Sequence, residues 1–174
     1  YLRFYVSKVK SEAPHFQIAS NWAFTDHMPD PITVPVDFIS GDFSSDDSVN
    51  AARYSTRLMS NQGLPWDLMA WGFSQKAGGK PKTGLQLCRE AACVLAQGGA
   101  FQAYYTQNRD GSLDVSKLHS MSETSEFCRL RQKICQYSTG FPQVALFCPT
   151  ETHYREMARQ KLSLFPMITW QRPI

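Results

Sequence analysis

The sequence predicts an α/β fold around a parallel sheet, and three consecutive features of its middle third support that prediction. Apolar residues recur at helical spacing through residues 83–97, where Thr83 and Gln86 have the pattern of a capping box. Two glycines at 98 and 99 end this helix, and the apolar and aromatic run 100–105 follows. Because a strand that is apolar almost throughout is buried on both faces, we expect a parallel sheet covered by helices.

The same alternation of strand and helix extends along most of the chain. The first helix is predicted to end near Glu12, because Pro14 disfavours helical geometry at the residue before it. Hydrophobic patterns predict the further elements, with strands at 15–24, 34–39, 64–73 and 100–105 and helices at 45–62, 83–97 and 122–137. Such alternation defines an α/β architecture with right-handed crossovers. It does not distinguish an open doubly wound sheet from half of an eight-stranded barrel.

Local signals add detail to three of these elements. The run Ser40-Gly41-Asp42 has turn chemistry after the second strand, and Ser45 is the expected N-cap of the helix that follows. The helix at 122–137 is expected to bury one apolar stripe, formed by Phe127, Leu130 and Ile134.

Composition and charge exclude two classes of partner. The chain has 174 residues, of which 43% are hydrophobic and 19% charged, and these are ordinary values for a globular domain. Its net charge of +3 is small and its basic residues are dispersed, so nucleic acid is not an expected partner. No apolar stretch approaches the roughly 18 residues that a membrane span needs. We therefore expect no membrane partner either.

Cysteines and histidines do not indicate a metal site. The five cysteines lack C-x-x-C spacing, and their odd number argues against a disulfide framework. Cys88 and Cys128 lie at core-facing helical positions, where they are expected to act as small hydrophobic residues. The four histidines are scattered, and no glycine-rich phosphate loop begins a helix. The sequence thus predicts neither a metal nor a cofactor.

The segment 98–114, GGAFQAYYTQNRDGSLD, combines a glycine pair, an apolar strand, a polar loop and an Asp-Gly turn. It resembles the last strand of the catalytic barrel in family 29 α-L-fucosidases and their glycosidase-like relatives. There the strand reads GGNLLLNIGP before an Asp-Gly turn, so the glycines match and the Asn and Pro do not. The resemblance covers residues 16–131. It implies a partial (β/α)8 TIM barrel whose four βα units correspond to barrel strands five to eight.

The resemblance also implies catalytic carboxylates. The segment 37–42, DFISGD, is similar to the family's Asp-Tyr-x-Thr-Pro-Glu and places Asp42 where the family has Glu. The pair WD at 66–67, followed by WGF at 71–73, is similar to a Trp-Glu segment followed by Trp-Gly-Tyr. Asp67 therefore also replaces a Glu.

Glycoside hydrolysis uses two carboxyl groups, one as the proton donor and the other as nucleophile or water-activating base. In the family the nucleophile is an Asp in a WFDG-like segment, which the resemblance would place upstream of Tyr1. Asp42 or Asp67 is then expected to be the acid/base residue. An Asp reaches one methylene less far than a Glu, which matters for proton transfer that depends on close geometry.

Barrel enzymes place their sites at the C-terminal ends of the strands, and these ends contain aromatic and amide side chains here. Aromatic faces stack on sugar rings and amides bind hydroxyl groups. The substrate-binding candidates are Asn21, Trp22, His27, Trp66, Trp71, Tyr105 and Gln107. We expect Asn21, Trp71 and Tyr105 to converge with Asp42 in one pocket.

Two domains are expected. Residues 1–140 correspond to the C-terminal half of a glycosidase-like barrel, and 141–174 to a linker and the start of a further α/β domain, with a strand at 144–148. The rest of the barrel would come from the same chain or from another one. A homo-oligomer, the identity of the sugar and the compartment are left open.

The resemblance implies a glycoside hydrolase with a carbohydrate substrate. The alternative is a non-catalytic carbohydrate-binding barrel protein, because Asp replaces Glu at both matched positions. A small flavodoxin-like domain with an open sheet is a third interpretation.

Overall fold

The computed structural model describes residues 1–24, 32–76, 78–147, 149–152 and 155, with the side chains of all of these except residues 20 and 22–24. The chain divides into two compact units, Tyr1–Phe141 and Pro142–Ile174. In the second unit, residues 142–147 have no regular secondary structure. The strand predicted at 144–148 is therefore wrong for 144–147, while Cys148 lies outside the described residues. That this unit begins a further α/β domain stays a prediction.

The first unit is built on parallel strands in chain order. The strands are β1 (Ala19–Phe24), β2 (Phe38–Asp42), β3 (Asp67–Trp71), β4 (Phe73–Ser74), β5 (Lys80–Pro81) and β6 (Ala100–Tyr104). One sheet has four strands in the order β1-β2-β3-β6, and all neighbours pair in parallel. Strands β4 and β5 form a separate antiparallel hairpin. The pairing of β6 is parallel as predicted, but β6 is an outer strand with mostly exposed residues, not a strand buried on both faces.

Helices follow strands β2, β3 and β6, and another one precedes β1. The helices of the first unit are α1 (Leu2–Glu12), α2 (Ser48–Met59), α3 (Gly84–Leu95), a 3₁₀ turn (Val115–Lys117) and α4 (Leu118–Cys135). The end of α1 at Glu12 and the capping box of α3 are confirmed. In that box the Thr83 hydroxyl accepts from the Gln86 N–H, and the Gln86 side chain accepts from the Thr83 N–H. Gly98 then ends the segment with a φ of +81°, which glycine adopts without strain.

The residues between β1 and α2 correct the predicted boundaries. Strand β2 includes Ser40–Asp42, which the sequence pattern predicts as a turn. Turn residues form a strand here because β1 and β3 pair with β2 on both sides and supply partners for its backbone. Asp47, not Ser45, is the N-cap of α2.

Helix α4 buries a different stripe from the one predicted. Leu130 and Ile134 are 71% and 81% exposed, whereas Thr124 is buried. The helix contacts α3 on the side of Thr124, since the Cys88 thiol of α3 meets the Glu123 carbonyl at 3.9 Å. Small side chains allow the two helices to approach closely, so the contact face is not the most apolar one.

The apolar core lies on one side of the sheet, which we call the helix face. Ile39, Leu68 and Ala70 point to this side and are fully buried. They pack against side chains of α2 and α3, namely Ala52, Met59, Leu87 and Val94. Gly99 lets the Trp66 ring approach the start of β6, because a Cβ at position 99 would overlap that ring.

Helix α1 packs beside the N-terminal ends of β1 and β2. Its Val6 belongs to a small buried cluster with Ile18, Val34 and Val36. Lys10 forms an ion pair with Asp37 at 2.7 Å, and the Ile18 N–H donates to the other Asp37 oxygen at 2.7 Å. The Lys10 ammonium, and then this N–H, hold the pKa of the Asp37 carboxyl below its usual range.

The topology bears on the choice between the predicted architectures. Strands in chain order with α2 and α3 on the same face follow the arrangement of a (β/α)8 barrel. In a doubly wound sheet the strand order reverses and helices cover both faces. The described sheet is open, since its outer strands β1 and β6 each pair with one neighbour. Closure into a barrel stays a prediction.

Candidate functional site

The side of the sheet opposite to the helix face contains polar and aromatic side chains, and we call it the polar face. Paired residues of adjacent parallel strands project to the same side, and the register pairs Asn21 with Ser40, Asp42 with Met69, and Trp71 with Tyr104. The register and the alternation along each strand place the following residues on the polar face: Asn21, Ser40, Asp42, Asp67, Met69, Trp71, Gln102 and Tyr104, together with Ala19, Phe38 and Ala100.

Asp42 is the central group of the polar face. It is the last residue of β2, at the C-terminal edge of the sheet, and is only 5% exposed. The Trp71 indole N–H donates to Asp42 Oδ2 at 2.8 Å. The Asn21 amide lies 3.5 Å from Asp42 Oδ1, which is at the outer limit for a hydrogen bond. Oδ1 is therefore the less firmly held of the two oxygens.

Three aromatic rings form a cluster beside this carboxylate. The Trp71 ring centroid lies 5.4 Å from that of Phe73 and 6.4 Å from that of Tyr104. Phe73 and Tyr104 meet edge to face at 5.9 Å. Such pairs contribute about 0.5–1.5 kcal/mol each beyond the area they bury. Trp71 is thus positioned both by its ring neighbours and by Asp42.

The loop after β2 is fastened to the β4–β5 hairpin at the same edge of the sheet. Asp46 Oδ1 accepts from the Ser74 hydroxyl at 3.0 Å and from the Lys76 N–H at 2.9 Å. The Ser45 hydroxyl accepts from the Gln75 N–H at 3.3 Å. Ser45 and Asp46 therefore contact the hairpin and do not cap α2.

Asp67, the second predicted carboxylate, lies deeper in the polar face. It is the first residue of β3, and its Oδ1 accepts from the Ser40 hydroxyl at 2.6 Å. Since Asp42 pairs with Met69, Asp67 is two residues, or about 6.6 Å, nearer the N-terminal edge of the sheet. It is 7% exposed. The prediction that Asp67 lies at the C-terminal end of its strand is therefore wrong.

Trp66 and Tyr105 belong to the helix face instead of the polar face. Trp66 is buried in the core cluster, and Tyr105 packs against that cluster. The Tyr105 hydroxyl lies 3.4 Å from the Ser120 hydroxyl of α4. The predicted convergence of Tyr105 with Asp42 is thus wrong, because residues alternate along β6 and Tyr104 takes the position on the polar face. Asn21, Asp42 and Trp71 do come together.

The remaining candidates are less well placed or lie outside the described part. Gln107 is exposed in the loop that follows β6. The backbone of Trp22 lies at an irregularity in the pairing of β1 with β2, between Asn21 and Ala23. The Trp22 side chain and the whole of His27 lie outside what the structure describes.

Sequence reasoning missed two groups near this edge. Phe73 and Tyr104 complete the aromatic cluster. The alternation of residues along β6 could have assigned Tyr104, because it shares a face with Gln102, whereas Tyr105 shares the other face with Ala103. The second group is a buried ion pair between Lys82 and Glu90, whose Nζ and Oε1 atoms are 2.9 Å apart. A glutamate within an apolar helical stripe is the only sequence signal for it.

Within the described ranges, the protein has neither a cluster of metal-ligating side chains nor a helix suited to a membrane. Among the described residues no three His, Cys, Asp or Glu side chains are grouped so that they could hold a metal ion. None of the described helices combines the length and the apolar character needed to cross a membrane.

Comparisons of the chain with protein-family models, with curated proteins and with solved structures yield no match. Arguments about function therefore depend on the geometry of the polar face and on the sequence resemblance.

Proposed function

We propose that the protein is a glycoside hydrolase resembling α-L-fucosidases, with the C-terminal edge of the polar face as part of its substrate site. The main support is the contact of the Trp71 indole with Asp42 at 2.8 Å. It places a carboxylate, an aromatic ring and the Asn21 amide within one cluster. Carbohydrate sites combine these groups, because rings stack on sugar faces while amides and carboxylates bind hydroxyls.

In this proposal Asp42 is the acid/base residue. Its Oδ2 is held by Trp71, while Oδ1 has only the long contact with Asn21. Oδ1 would deliver a proton to the glycosidic oxygen as the bond to the leaving group breaks, and would later accept one from water. Asp67 is not assigned this role, because it lies deeper and is engaged by Ser40. In the family that the chain resembles, the nucleophile is an Asp in a WFDG-like segment, which residues 1–174 do not contain.

Trp71, Phe73 and Tyr104 would form the sugar-contacting wall. Tyr104 is 38% exposed, so part of this cluster is accessible from solvent. In the same proposal the four-stranded sheet is half of a (β/α)8 barrel whose interior is the polar face. The chain order of the strands supports this.

A second candidate function is carbohydrate binding without catalysis. One observation favours it: of the two carboxylates predicted from the sequence, only Asp42 lies at the C-terminal edge of the sheet. A glycosidase needs two carboxyl groups that both reach the scissile bond, whereas Asp67 lies deeper and accepts a hydrogen bond from Ser40.

Substitution of Asp42 separates the two functions. In the intact protein, Asp42→Asn should lower hydrolysis of aryl α-L-fucosides by about 10²- to 10⁴-fold, with sugar binding by calorimetry largely retained. Asp67→Asn makes the same change on the same face in a deeper layer and serves as the matched control. It should affect hydrolysis much less.

The other outcomes are equally informative. Sugar binding that depends on Trp71, with no hydrolysis by the unmodified protein, would support the binding function. A protein that neither binds nor hydrolyses a panel of aryl fucosides and galactosides would contradict both.

A further inference from the structure

A buried ion pair connects the β4–β5 hairpin to the helix layer. The side chains of Lys82 and Glu90 are 4% and 1% exposed, and Lys82 Nζ lies 2.9 Å from Oε1 and 3.2 Å from Oε2 of Glu90. The Ser48 hydroxyl donates to Oε1 of the same carboxylate. Lys82 directly follows β5, Glu90 belongs to α3, and Ser48 is the first residue of α2. One buried carboxylate thus connects three elements.

This pair is one backbone hydrogen bond away from the candidate site. The Lys82 N–H donates to the Gly72 carbonyl at 2.9 Å, and the Gly72 N–H donates to the Tyr104 carbonyl at 2.7 Å. Gly72 directly follows Trp71, whose indole N–H donates to Asp42. The backbone next to Trp71 is therefore fixed on one side by β6 and on the other by Lys82.

Position 72 leaves little freedom for adjustment. A Cβ there would lie 2.8 Å from Cδ1 of the Tyr105 ring and 2.9 Å from the Tyr104 carbonyl oxygen. The backbone at Gly72 is thus in close contact with β6. A displacement of Lys82 would weaken the hydrogen bond that the Gly72 carbonyl accepts directly beside Trp71.

Stability alone does not require a buried ion pair. Removing two charges from water is costly, and replacing such a pair by apolar side chains of similar size is often neutral or stabilising. An apolar pair would not fix one orientation. The hydrogen-bonded ammonium and carboxylate do, because they define where Lys82 must lie relative to α3. A role in fixing geometry accounts for the use of charges at this place.

We propose that Lys82 and Glu90 are positioning residues that hold Gly72, and through it the Trp71 indole, in the orientation that hydrogen-bonds Asp42. They touch neither ligand nor reacting atoms. The significance of this role for catalysis rests on the proposed function. The orientation of the indole does not, and it can be measured without a substrate.

The test uses the indole N–H signal of Trp71 in nitrogen-15 NMR spectra of the intact protein. The chain has four tryptophans, and Trp71→Phe identifies the Trp71 signal by its loss. Asp42→Asn then gives the position of that signal when the acceptor is no longer charged. In the charge-free double variant Lys82→Met/Glu90→Gln the Trp71 signal should shift towards this position. Its exchange with solvent hydrogen should become faster.

A matched control is offered by the ion pair at the other end of the sheet. The variant Lys10→Met/Asp37→Asn removes the contact between α1 and the start of β2 and should leave the Trp71 signal unchanged. If the Trp71 signal also stays unchanged in Lys82→Met/Glu90→Gln, the pair has no positioning role and the proposal is wrong.

A milder variant covers the case in which the double variant does not fold. Ser48→Ala removes one donor to Glu90 while keeping the ion pair, and it should shift the same signal by a smaller amount. An unchanged signal in Ser48→Ala would then contradict the proposal.

A kinetic measurement would extend the result to catalysis. In Lys82→Met/Glu90→Gln the value of kcat for hydrolysis should fall while KM changes little. A protein without hydrolytic activity would defeat the proposed function but leave the NMR test intact.

Discussion

The helix face and the polar face of the sheet are formed by alternate residues of the same strands, yet their stabilising contacts differ. On the helix face Ile39 and Leu68 are buried among the side chains of α2 and α3. On the polar face Ser40 and Asp67 form one hydrogen-bonded pair, and Asp42 and Trp71 form another. Apolar burial gains free energy in proportion to area, whereas buried polar groups need a partner to avoid a desolvation cost.

This difference separates stability from specificity within one sheet. Any apolar side chain of suitable volume can fill the helix face with modest loss. The buried carboxylates on the other face, Asp42 and Asp67, depend on particular partners at short distances. Substitutions on the two faces should therefore act on different properties of the protein.

The largest expected change in the free energy of unfolding comes from a substitution on the helix face. Leu68 is fully buried, and Leu68→Ala should lower the free energy of unfolding by about 2–5 kcal/mol through lost burial and a cavity. Urea unfolding followed by circular dichroism measures it. Gln102→Ala, on the exposed part of the polar face, is the control and should change it by less than about 0.5 kcal/mol. Equal effects of the two substitutions would contradict the assignment of the faces.

A medium effect is expected for the contact of Trp71 with Asp42 on the polar face. Trp71→Phe keeps a ring beside Phe73 and Tyr104 but removes the donor to a carboxylate that is nearly buried. The cost should be about 1–3 kcal/mol. A double-mutant cycle with Asp42→Asn should give a coupling free energy of at least about 0.5 kcal/mol. Additive losses would show that the two side chains do not interact.

The smallest change in stability is expected at the N-terminal edge of the sheet. The ion pair of Lys10 and Asp37 lies there, apart from the two hydrogen-bonded pairs of the polar face. Lys10, and then the Ile18 N–H, lower the pKa of the Asp37 carboxyl from its ordinary 3.8. The folded state therefore prefers the ionised form. The contribution of the ionised Asp37 to stability is complete above its ordinary pKa and is lost as the pH falls through the lowered pKa.

Thermal unfolding between about pH 2 and pH 5 tests this expectation, because the contribution of Asp37 is complete above its ordinary pKa of 3.8 and decreases at lower pH. In Asp37→Asn the decrease of the melting temperature with falling pH should be smaller than in the unmodified protein. An identical pH dependence in both would mean that Asp37 does not contribute.

The sequence predicted the elements better than it predicted their contacts. The capping box of Thr83 and Gln86 could be found because it depends on residues three apart in one helix. The last residues of β2 could not be predicted as strand, because Ser40 and Asp42 extend β2 only when β1 and β3 pair with it on both sides. Leu130 and Ile134 of α4 were misassigned for a related reason. The helical period gives an apolar stripe but not which side meets α3.

The candidate site shows the same division. Asn21, Asp42 and Trp71 could be chosen from residue type and from their position near strand ends. The prediction of Tyr105 beside Asp42 is wrong because a shift by one residue moves a side chain to the other face, and Tyr104 pairs with Trp71 instead. Asp67 and Trp66 were both expected at the C-terminal edge. The register of β3 with β6, which begins at Asp67 and Ala100, places them at the opposite end of the strand.

By itself the sequence determined the order of the main strands and helices of the first unit, the end of α1 and the capping box of α3, and the type of side chain available near the strand ends. These properties depend on interactions within a few residues. Only the tertiary structure decided which of those side chains share a face and which donor reaches Asp42. It also revealed that Lys82 and Glu90 form a buried pair. Such contacts join residues far apart in the chain, and their distances depend on strand register and helix packing.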